Sequence, residues 1–178
     1  MKRVFIVSST PRKNGNSDIL AEEFARGARE AGNEVVKFDI RGKDLKFCIG
    51  CLSCQSHKGC VLKDCMNDLY DTVQNSDVLV FATPVYYYEM CGQLKTFLDR
   101  LNPLFPRENR FKEVYLIATA AEDEPTTTDG VIKGVQGWVD CFDGVKFEKV
   151  IFGGGVTDAG EVKDTDAPAR AYEAGKNV

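Results

Sequence analysis

The sequence predicts an α/β domain in which a parallel sheet of five strands carries helices on both faces. Five short apolar runs rich in Val, Ile and Phe occur along the chain, and a segment with helical spacing follows each of them. Strands that alternate with helices form parallel sheets covered on both sides. The chain has 178 residues, 43% of them hydrophobic. A chain of this length buries roughly 70% of its extended-chain surface as one domain, so we expect residues 1–178 to form a single domain.

The elements follow from these runs in order. The predicted strands are 3–8, 34–40, 77–83, 112–120 and 145–152. The first helix is predicted from the spacing of Leu20, Phe24 and Ala28, with Ser17 as its N-cap and Gly32 as its stop. The later helices are predicted over 66–74, 92–101, 130–141 and 166–176. Ligands of such folds bind beyond the carboxyl ends of the strands, so a site is expected after strands one, three and four.

Charge and hydropathy exclude several classes of protein. The net charge of −4 and the pI near 5.1 argue against nucleic-acid binding, which needs a basic face. No window approaches the roughly 18 consecutive apolar residues of a membrane span. The N-terminal apolar run, residues 4–7, is too short for a signal peptide. We therefore expect a cytoplasmic protein whose seven cysteines are reduced and serve metal, redox or packing roles.

The segment after strand one, residues 8–17, favours binding of a phosphate group. It reads Ser-Ser-Thr-Pro-Arg-Lys-Asn-Gly-Asn-Ser and leads into a helix. Hydroxyls, an arginine and the positive end of a helix dipole suit an anion. The segment matches neither G-x-G-x-x-G nor G-x-x-x-x-G-K-[ST], which disfavours a dinucleotide fold and a P-loop NTPase. An ordinary polar turn that caps a helix is the alternative.

The segment after strand three, residues 83–92, contains three adjacent tyrosines. It reads Thr-Pro-Val-Tyr-Tyr-Tyr-Glu-Met-Cys-Gly. Three neighbouring aromatic side chains cannot all point into a core, and their faces suit a planar ring at the edge of the sheet. The alternative is that the tyrosines pack against helices or against a partner subunit.

These two segments resemble the signatures of the NADPH-dependent FMN reductase and multimeric-flavodoxin superfamily. The first signature is Ser-Thr-Pro-Arg-x-x-Gly-Asn-Ser, in which Ser9-Thr10 replaces the usual Gly-Ser. The second is Pro-Val-Tyr-Tyr followed by Gly-Gln-Leu-Lys-x-Phe-x-Asp-Arg at residues 92–100. The resemblance implies a flavodoxin-like three-layer sandwich with strand order 2-1-3-4-5. It also implies bound FMN, reduction by NADH or NADPH, a small-molecule electron donor or acceptor, and a homodimer or homotetramer.

The resemblance also implies which residues bind FMN. Those expected at the 5′-phosphate are Ser9, Thr10, Arg12, Asn14, Asn16 and Ser17. Those expected at the isoalloxazine are Pro84, Val85, Tyr86 and Tyr87, with Thr119 and Ala120 from a third loop after strand four. Lys95, Asp99 and Arg100 are expected to fix the helix and the subunit contacts. FMN carries the redox chemistry, so we assign no catalytic side chain.

A Cys-rich insertion after strand two, residues 44–65, is called the Cys loop. Four of its cysteines have the spacing C-x2-C-x2-C-x5-C, namely Cys48, Cys51, Cys54 and Cys60. The spacing resembles the compact motif of iron–sulfur flavoproteins, which carry a [4Fe–4S] cluster beside FMN. A structural zinc site and free thiols that pack against the flavin site are the alternatives. His57, in the same loop, is expected to be solvent-exposed.

The sequence therefore predicts an FMN-dependent oxidoreductase of the NAD(P)H-dependent FMN or quinone reductase type. An iron–sulfur flavoprotein that carries electrons is the first alternative, with the four cysteines as ligands. A flavin-free module that uses the Cys loop for thiol chemistry or metal binding is the second alternative.

Overall fold

A computed structural model describes residues 1–56 and 59–178 of the chain. Its strands are β1 (Arg3–Ser8), β2 (Glu34–Asp39), β3 (Val78–Tyr86), β4 (Glu89–Met90), β5 (Glu113–Thr119) and β6 (Lys146–Gly153). Five of them form a parallel sheet in the order β2-β1-β3-β5-β6. This order confirms the flavodoxin-like winding, because the strand sequence reverses between β1 and β3. The prediction for His57 lies outside the described residues.

The five expected parallel strands are present, and a short sixth strand, β4, adds to them. β3 runs on to Tyr86 and turns back into β4, which pairs with it antiparallel through Val85↔Met90 and Tyr86↔Glu89. The two turn residues, Tyr87 and Tyr88, have φ angles of 50° and 64°. Left-handed backbone of this kind normally calls for Gly or Asn, so the sequence carries no signal for this hairpin.

The helices are α1 (Asn16–Glu30), α2 (Tyr70–Gln74), α3 (Gly92–Arg100), α4 (Asp129–Val139) and α5 (Ala167–Lys176). Helices α1 and α5 share a buried core with one face of the sheet, and α2, α3 and α4 share another core with the opposite face. Alternate residues of a strand point to opposite faces, so both faces of β1 and β3 are apolar and buried. None of the helices in the described part of the chain is long and apolar enough to cross a membrane.

Helix α1 begins earlier than expected. Gly15 is its N-cap and the helix starts at Asn16, so the assignment of Ser17 as the N-cap is wrong. Gly15 leaves the helix start without a side-chain cap. Ser17 therefore lies inside the first turn, where its hydroxyl is not used as a cap.

Helices α1 and α5 approach closely because two glycines leave room for backbone. A Cβ atom at Gly27 would lie 2.1 Å from the carbonyl oxygen of Tyr172, and one at Gly175 would lie 2.0 Å from that of Phe24. This contact fixes α5 against α1, the helix that follows the segment after β1.

Candidate functional site

The carboxyl ends of the parallel strands enclose a cavity of about 190 Å³. Its walls come from the segments after β1, β3 and β5 that the sequence indicated, and from a fourth segment after β6. The lining residues are Thr10, Arg12, Gly15, Asn16, Pro84, Val85, Tyr86, Thr119, Ala120, Ala121, Val156 and Thr157. We call it the strand-end cavity. Eight of these residues were expected at a flavin site: Thr10, Arg12, Asn16, Pro84, Val85, Tyr86, Thr119 and Ala120.

The loop after β1 folds tightly at the start of α1. The N–H of Arg12 donates to Thr10 Oγ1 at 3.3 Å, and that of Gly15 donates to the carbonyl oxygen of Arg12 at 3.3 Å. A Cβ atom at Gly15 would lie 2.5 Å from Thr10 Oγ1. Glycine is therefore required for the loop to close over Thr10.

The Ser17 hydroxyl lies in the first turn of α1 without a hydrogen-bond partner. Its residue is 1% exposed, and no described residue bonds to its Oγ atom. Burial of an unpaired hydroxyl is unfavourable. An unpaired donor at an uncapped helix start suits an anion, which both the N–H groups and the helix dipole attract.

Arg12 and Asn16 bind the loop after β6. Arg12 Nη1 donates to the carbonyl oxygen of Thr157 at 2.5 Å. Asn16 Nδ2 donates to the carbonyl oxygen of Asp158 at 2.9 Å, and Asn16 Oδ1 accepts from the N–H groups of Gly160 and Val162 at 2.9 and 3.3 Å. The Asn16 side chain therefore holds this loop in place, and its role at a phosphate stays a prediction.

Ser9 and Asn14 lie apart from the lining. Ser9 Oγ donates to the carbonyl oxygen of Ala82 at 2.7 Å and accepts from the buried Cys91 thiol at 3.2 Å. Its side chain thus points into the sheet. Asn14 is exposed in a left-handed conformation with φ 55°. Binding of a phosphate by either residue stays a prediction.

The tyrosine turn forms one rim of the strand-end cavity. Tyr86 lines the cavity, whereas Tyr87 is fully exposed at 101%. The Tyr88 hydroxyl donates to the carboxylate of Glu122, 2.9 Å from the nearer oxygen, and this hydrogen bond raises the pKa of Tyr88. The bond connects the turn after β3 with the loop after β5. Two of the four segments around the cavity are therefore joined by a side-chain hydrogen bond.

Sequence reasoning missed the segment after β6. Val156 and Thr157 line the cavity. A Cβ atom at Gly154 would lie 2.1 Å from Asp123 Oδ1, so this glycine lets the loops after β5 and β6 pack together. These contacts join distant parts of the chain and leave no local pattern in the sequence.

The Cys loop borders a second cavity, of about 460 Å³. All four cysteines of the motif line it: Cys48, Cys51, Cys54 and Cys60. Apolar side chains of α3 and α4 form the opposite wall, among them Leu98 and Trp138. Within residues 1–56 and 59–178, no three His, Cys, Asp or Glu side chains are placed to hold one metal ion. The four cysteines of the motif therefore line one cavity, but they are not placed as a set of metal ligands in this structure.

Two thiols of the motif accept hydrogen bonds from the end of α3 and the turn after it. Asn102 Nδ2 donates to Cys54 Sγ at 3.0 Å. Arg100 Nη2 donates to Cys60 Sγ at 3.6 Å. Cys54 is buried, whereas Cys48 and Cys51 are exposed. Two thiols are thus held against the body of the protein and two face solvent.

The family model for NADPH-dependent FMN reductases matches residues 1–128. That match covers most of the chain, including the loops after β1, β3 and β5, and the chain belongs to this family. The flavodoxin-like winding and the cavity at the strand ends agree with that membership.

Relatives and solved structures add detail. An iron-sulfur flavoprotein of Archaeoglobus fulgidus is 39% identical over 103 residues, which are 58% of this chain and 46% of the relative. The chain therefore spans about half the length of the iron-sulfur relatives it matches. A Bacillus subtilis protein with the provisional name NAD(P)H-dependent FMN-containing oxidoreductase is 24% identical, over 95% of this chain and 94% of that protein.

One solved structure, an NAD(P)H:quinone oxidoreductase from Methanothermobacter marburgensis, superposes with a TM-score of 0.76. Its identity is 19%, over 99% of this chain and 96% of that one. An FMN-dependent NADH-azoreductase from Bacillus anthracis, solved with FMN, gives a TM-score of 0.72 at 15% identity, over 99% of both chains. At these identities the likeness confirms the fold.

Proposed function

We propose that this chain binds FMN non-covalently in the strand-end cavity and works as an NAD(P)H-dependent FMN oxidoreductase. The observation that carries the proposal is the meeting of four segments around one cavity, the first of which leads into the start of α1, where no described residue bonds to the buried Ser17 hydroxyl. Membership of the NADPH-dependent FMN reductase family supports it. We further propose that residues 1–178 act as one FMN-binding domain.

The residues present fit a phosphate group at one end of this cavity. The start of α1 has no side-chain cap, and the Ser17 hydroxyl has no partner in the described part of the chain. A phosphate oxygen would satisfy that hydroxyl and the first N–H groups of the helix. Thr10 lines the same end and offers a second hydroxyl. Arg12 adds a positive charge at the cavity wall.

The residues at the other end fit a planar ring. Pro84, Val85 and Tyr86 line the cavity from the end of β3, and Thr119 and Ala120 line it from the end of β5. Apolar and aromatic surfaces bind an aromatic ring, and the backbone groups of such loops can pair with its polar edge. The small side chains of Thr119 and Ala120 leave room beside the tyrosine wall.

FMN, when bound, supplies the capacity to accept a hydride and pass electrons on. The start of α1 would hold the phosphate, and the segments after β3 and β5 would hold the ring, with the exposed tyrosine turn beside it. The hydrogen bond from Tyr88 to Glu122 keeps the two loops at a fixed separation. No general acid or base is required, and we assign no catalytic residue.

The names of the solved relatives support small molecules as reaction partners. They include an NAD(P)H:quinone oxidoreductase and azoreductases. We propose NADH or NADPH as the donor and a quinone-like molecule as the acceptor. We also propose a cytoplasmic homodimer or homotetramer, since reduced cysteines and an exposed tyrosine turn are compatible with both.

FMN binding and turnover test this proposal directly. The purified chain is titrated with FMN and then mixed anaerobically with NADH or NADPH, followed by benzoquinone. Bleaching of the flavin absorbance by the nucleotide and its return with quinone are expected. Arg12→Ala should weaken FMN binding, whereas Lys13→Ala, a change at the neighbouring exposed residue, should leave it unchanged. A protein that rejects added FMN would favour a flavin-free thiol or metal-binding module instead.

A second candidate function is electron transfer through an iron–sulfur cluster on the Cys loop. It is favoured by four motif cysteines that line one cavity and by several relatives named iron-sulfur flavoprotein. Four thiolates are the donor set that [4Fe–4S] clusters use, so the residue types fit. The exposed Cys48 and Cys51 would have to move inward, since no ligand set is formed within the described residues. Iron and acid-labile sulfide after anaerobic reconstitution test this candidate, and their absence would exclude it.

A further inference from the structure

The Cys loop closes on itself at a neck formed by its two ends, residues 44–46 and 63–65. The N–H of Cys65 donates to the carbonyl oxygen of Asp44 at 3.1 Å. Lys46 bonds to the other side of the neck twice, through its N–H to Asp64 Oδ2 at 2.9 Å and through Nζ to the carbonyl oxygen of Lys63 at 2.7 Å. Every cysteine of the spaced motif lies between the two sides of this neck.

One buried side chain, that of Arg100, binds both sides of the neck. Arg100 is 1% exposed and lies at the end of α3. Its guanidinium donates to the carbonyl oxygen of Lys46 at 2.7 Å and to both carboxylate oxygens of Asp64, at 2.9 Å for Oδ1. The same guanidinium reaches the Cys60 sulfur at 3.6 Å. A single planar fork thus fixes the start of the loop, its end and one of its thiols.

Apolar packing explains only part of the shape of the loop. Phe47, Ile49 and Leu52 are its large apolar side chains near the thiols, and they are 78%, 64% and 60% exposed. The described loop contains only a short 3₁₀ turn, Ser53–Ser56. Leu45 and Cys60 do pack against the hydrophobic core and Cys54 is buried, and the polar contacts to Arg100 and Asn102 add to that packing. Buried ion pairs add little net stability, and a unique geometry is what they can provide.

We propose that Arg100, together with Asn102, is a positioning residue that holds Cys60 and Cys54 ready to bind a thiolate-seeking metal. The two held thiols would form the fixed half of the site, and the exposed Cys48 and Cys51 would have to move toward them to complete it. The inference rests on the second candidate function for the metal, and it is independent of FMN binding. Hydrogen bonds to a ligand sulfur are outer contacts of the kind whose loss typically lowers metal affinity 10–100-fold.

The test uses the fully reduced chain of residues 1–178 and three variants. Arg100→Lys keeps the positive charge and loses the planar fork, and Asn102→Ala removes the donor to Cys54 alone. Lys95→Gln is the matched control, because Lys95 lies on the same helix and its ion pair with Asp99 is on the surface. Iodoacetamide alkylation is followed for each cysteine by peptide mass spectrometry, with the buried Cys91 as the reporter of global opening. Co²⁺ is titrated anaerobically and followed by its thiolate charge-transfer absorption.

Arg100→Lys should raise the alkylation rate of Cys60 about tenfold without changing that of Cys91, and should weaken Co²⁺ binding about tenfold. Asn102→Ala should raise the alkylation rate of Cys54 alone. This second variant keeps the proposal testable if Arg100→Lys fails to fold. The role of Arg100 and Asn102 is overturned if the wild type binds Co²⁺ and the variants match it in both measurements. Equal acceleration at Cys91 would also overturn it, since that indicates general unfolding. A wild type that binds no Co²⁺ would overturn the metal site itself and leave the FMN proposal standing.

Discussion

Replacement of Ser17 by alanine should change stability and FMN affinity in opposite directions. In the flavin-free protein the hydroxyl is buried without a partner, so its removal relieves a penalty of about 1 kcal/mol. Alanine is also the better helix former, by a few tenths of a kcal/mol. The flavin-free variant should therefore be about 1 kcal/mol more stable, which for a chain of this size raises Tm by roughly 2–4 °C.

The same change should weaken FMN binding. A hydrogen bond to a charged phosphate contributes about 1.5–3 kcal/mol, and each 1.4 kcal/mol is about a tenfold change in Kd. Ser17→Ala should thus raise the Kd for FMN by roughly 10–150-fold. Thermal unfolding of the flavin-free protein and quenching of FMN fluorescence measure the two effects.

Riboflavin is the control ligand, because it lacks the phosphate. Its affinity should be the same for the wild type and for Ser17→Ala. If the variant binds FMN within twofold of the wild type, or loses affinity for riboflavin equally, then the placement of the phosphate beside Ser17 is wrong. A clear drop in the stability of the flavin-free variant would instead show that the hydroxyl has a structural partner.

Three further outcomes are expected. Gly27→Ala should destabilise the protein by about 2–3 kcal/mol in urea unfolding, because the added Cβ would lie 2.1 Å from a backbone oxygen of α5. Gly137→Ala is the control: the space around Gly137 in α4 is open, so this change should stabilise the protein by about 0.5–1 kcal/mol. Equal effects of the two changes would contradict the packing argument. Tyr88→Phe should raise the Kd for FMN about two- to fivefold, because it removes the hydrogen bond that holds the loop after β5. An equal rise in the Kd for FMN in Tyr87→Phe would disprove a specific role of the Tyr88 hydroxyl. Burial raises the pKa of Asp77, but hydrogen bonds from an arginine side chain and from the backbone of β1 outweigh it and lower the pKa overall. The stability from this group is thus present above its unfolded pKa of about 4 and is lost as pH falls through the folded value. Asp77→Asn should therefore flatten the loss of stability as the pH falls below about 4. An unchanged acid-unfolding curve would refute this.

The local pattern of the sequence was enough to predict the sheet. The predicted bounds of β1 match the structure, and the other parallel strands lie within a few residues of their predicted bounds. Buried parallel strands are continuous apolar runs, so they differ clearly from the polar segments around them. The segments after β1, β3 and β5 could be selected as the site because parallel strands place their carboxyl ends at one edge.

Other features depend on contacts that a local pattern cannot encode. The hairpin through Tyr87 and Tyr88 needs left-handed backbone at two bulky residues, and its packing on α4 supplies the reason. A Cβ atom at Gly130 would lie 2.4 Å from the carbonyl oxygen of Tyr88, so the start of α4 packs directly against the backbone of the turn. The side-chain direction of Ser9 likewise depends on Ala82 and Cys91, which are distant in sequence.

The bonds from Arg12 and Asn16 to the loop after β6 limit how this protein can be divided. The family match ends at residue 128, yet both side chains are held by backbone groups between Thr157 and Val162. A fragment cut at residue 128 would lose those partners and would leave β5 as a bare edge strand open to aggregation. For protein engineering, the smallest unit with an intact loop after β1 must therefore extend to residue 162. Grafting of the proposed flavin site onto another scaffold would have to include a segment more than 140 residues away from it in sequence.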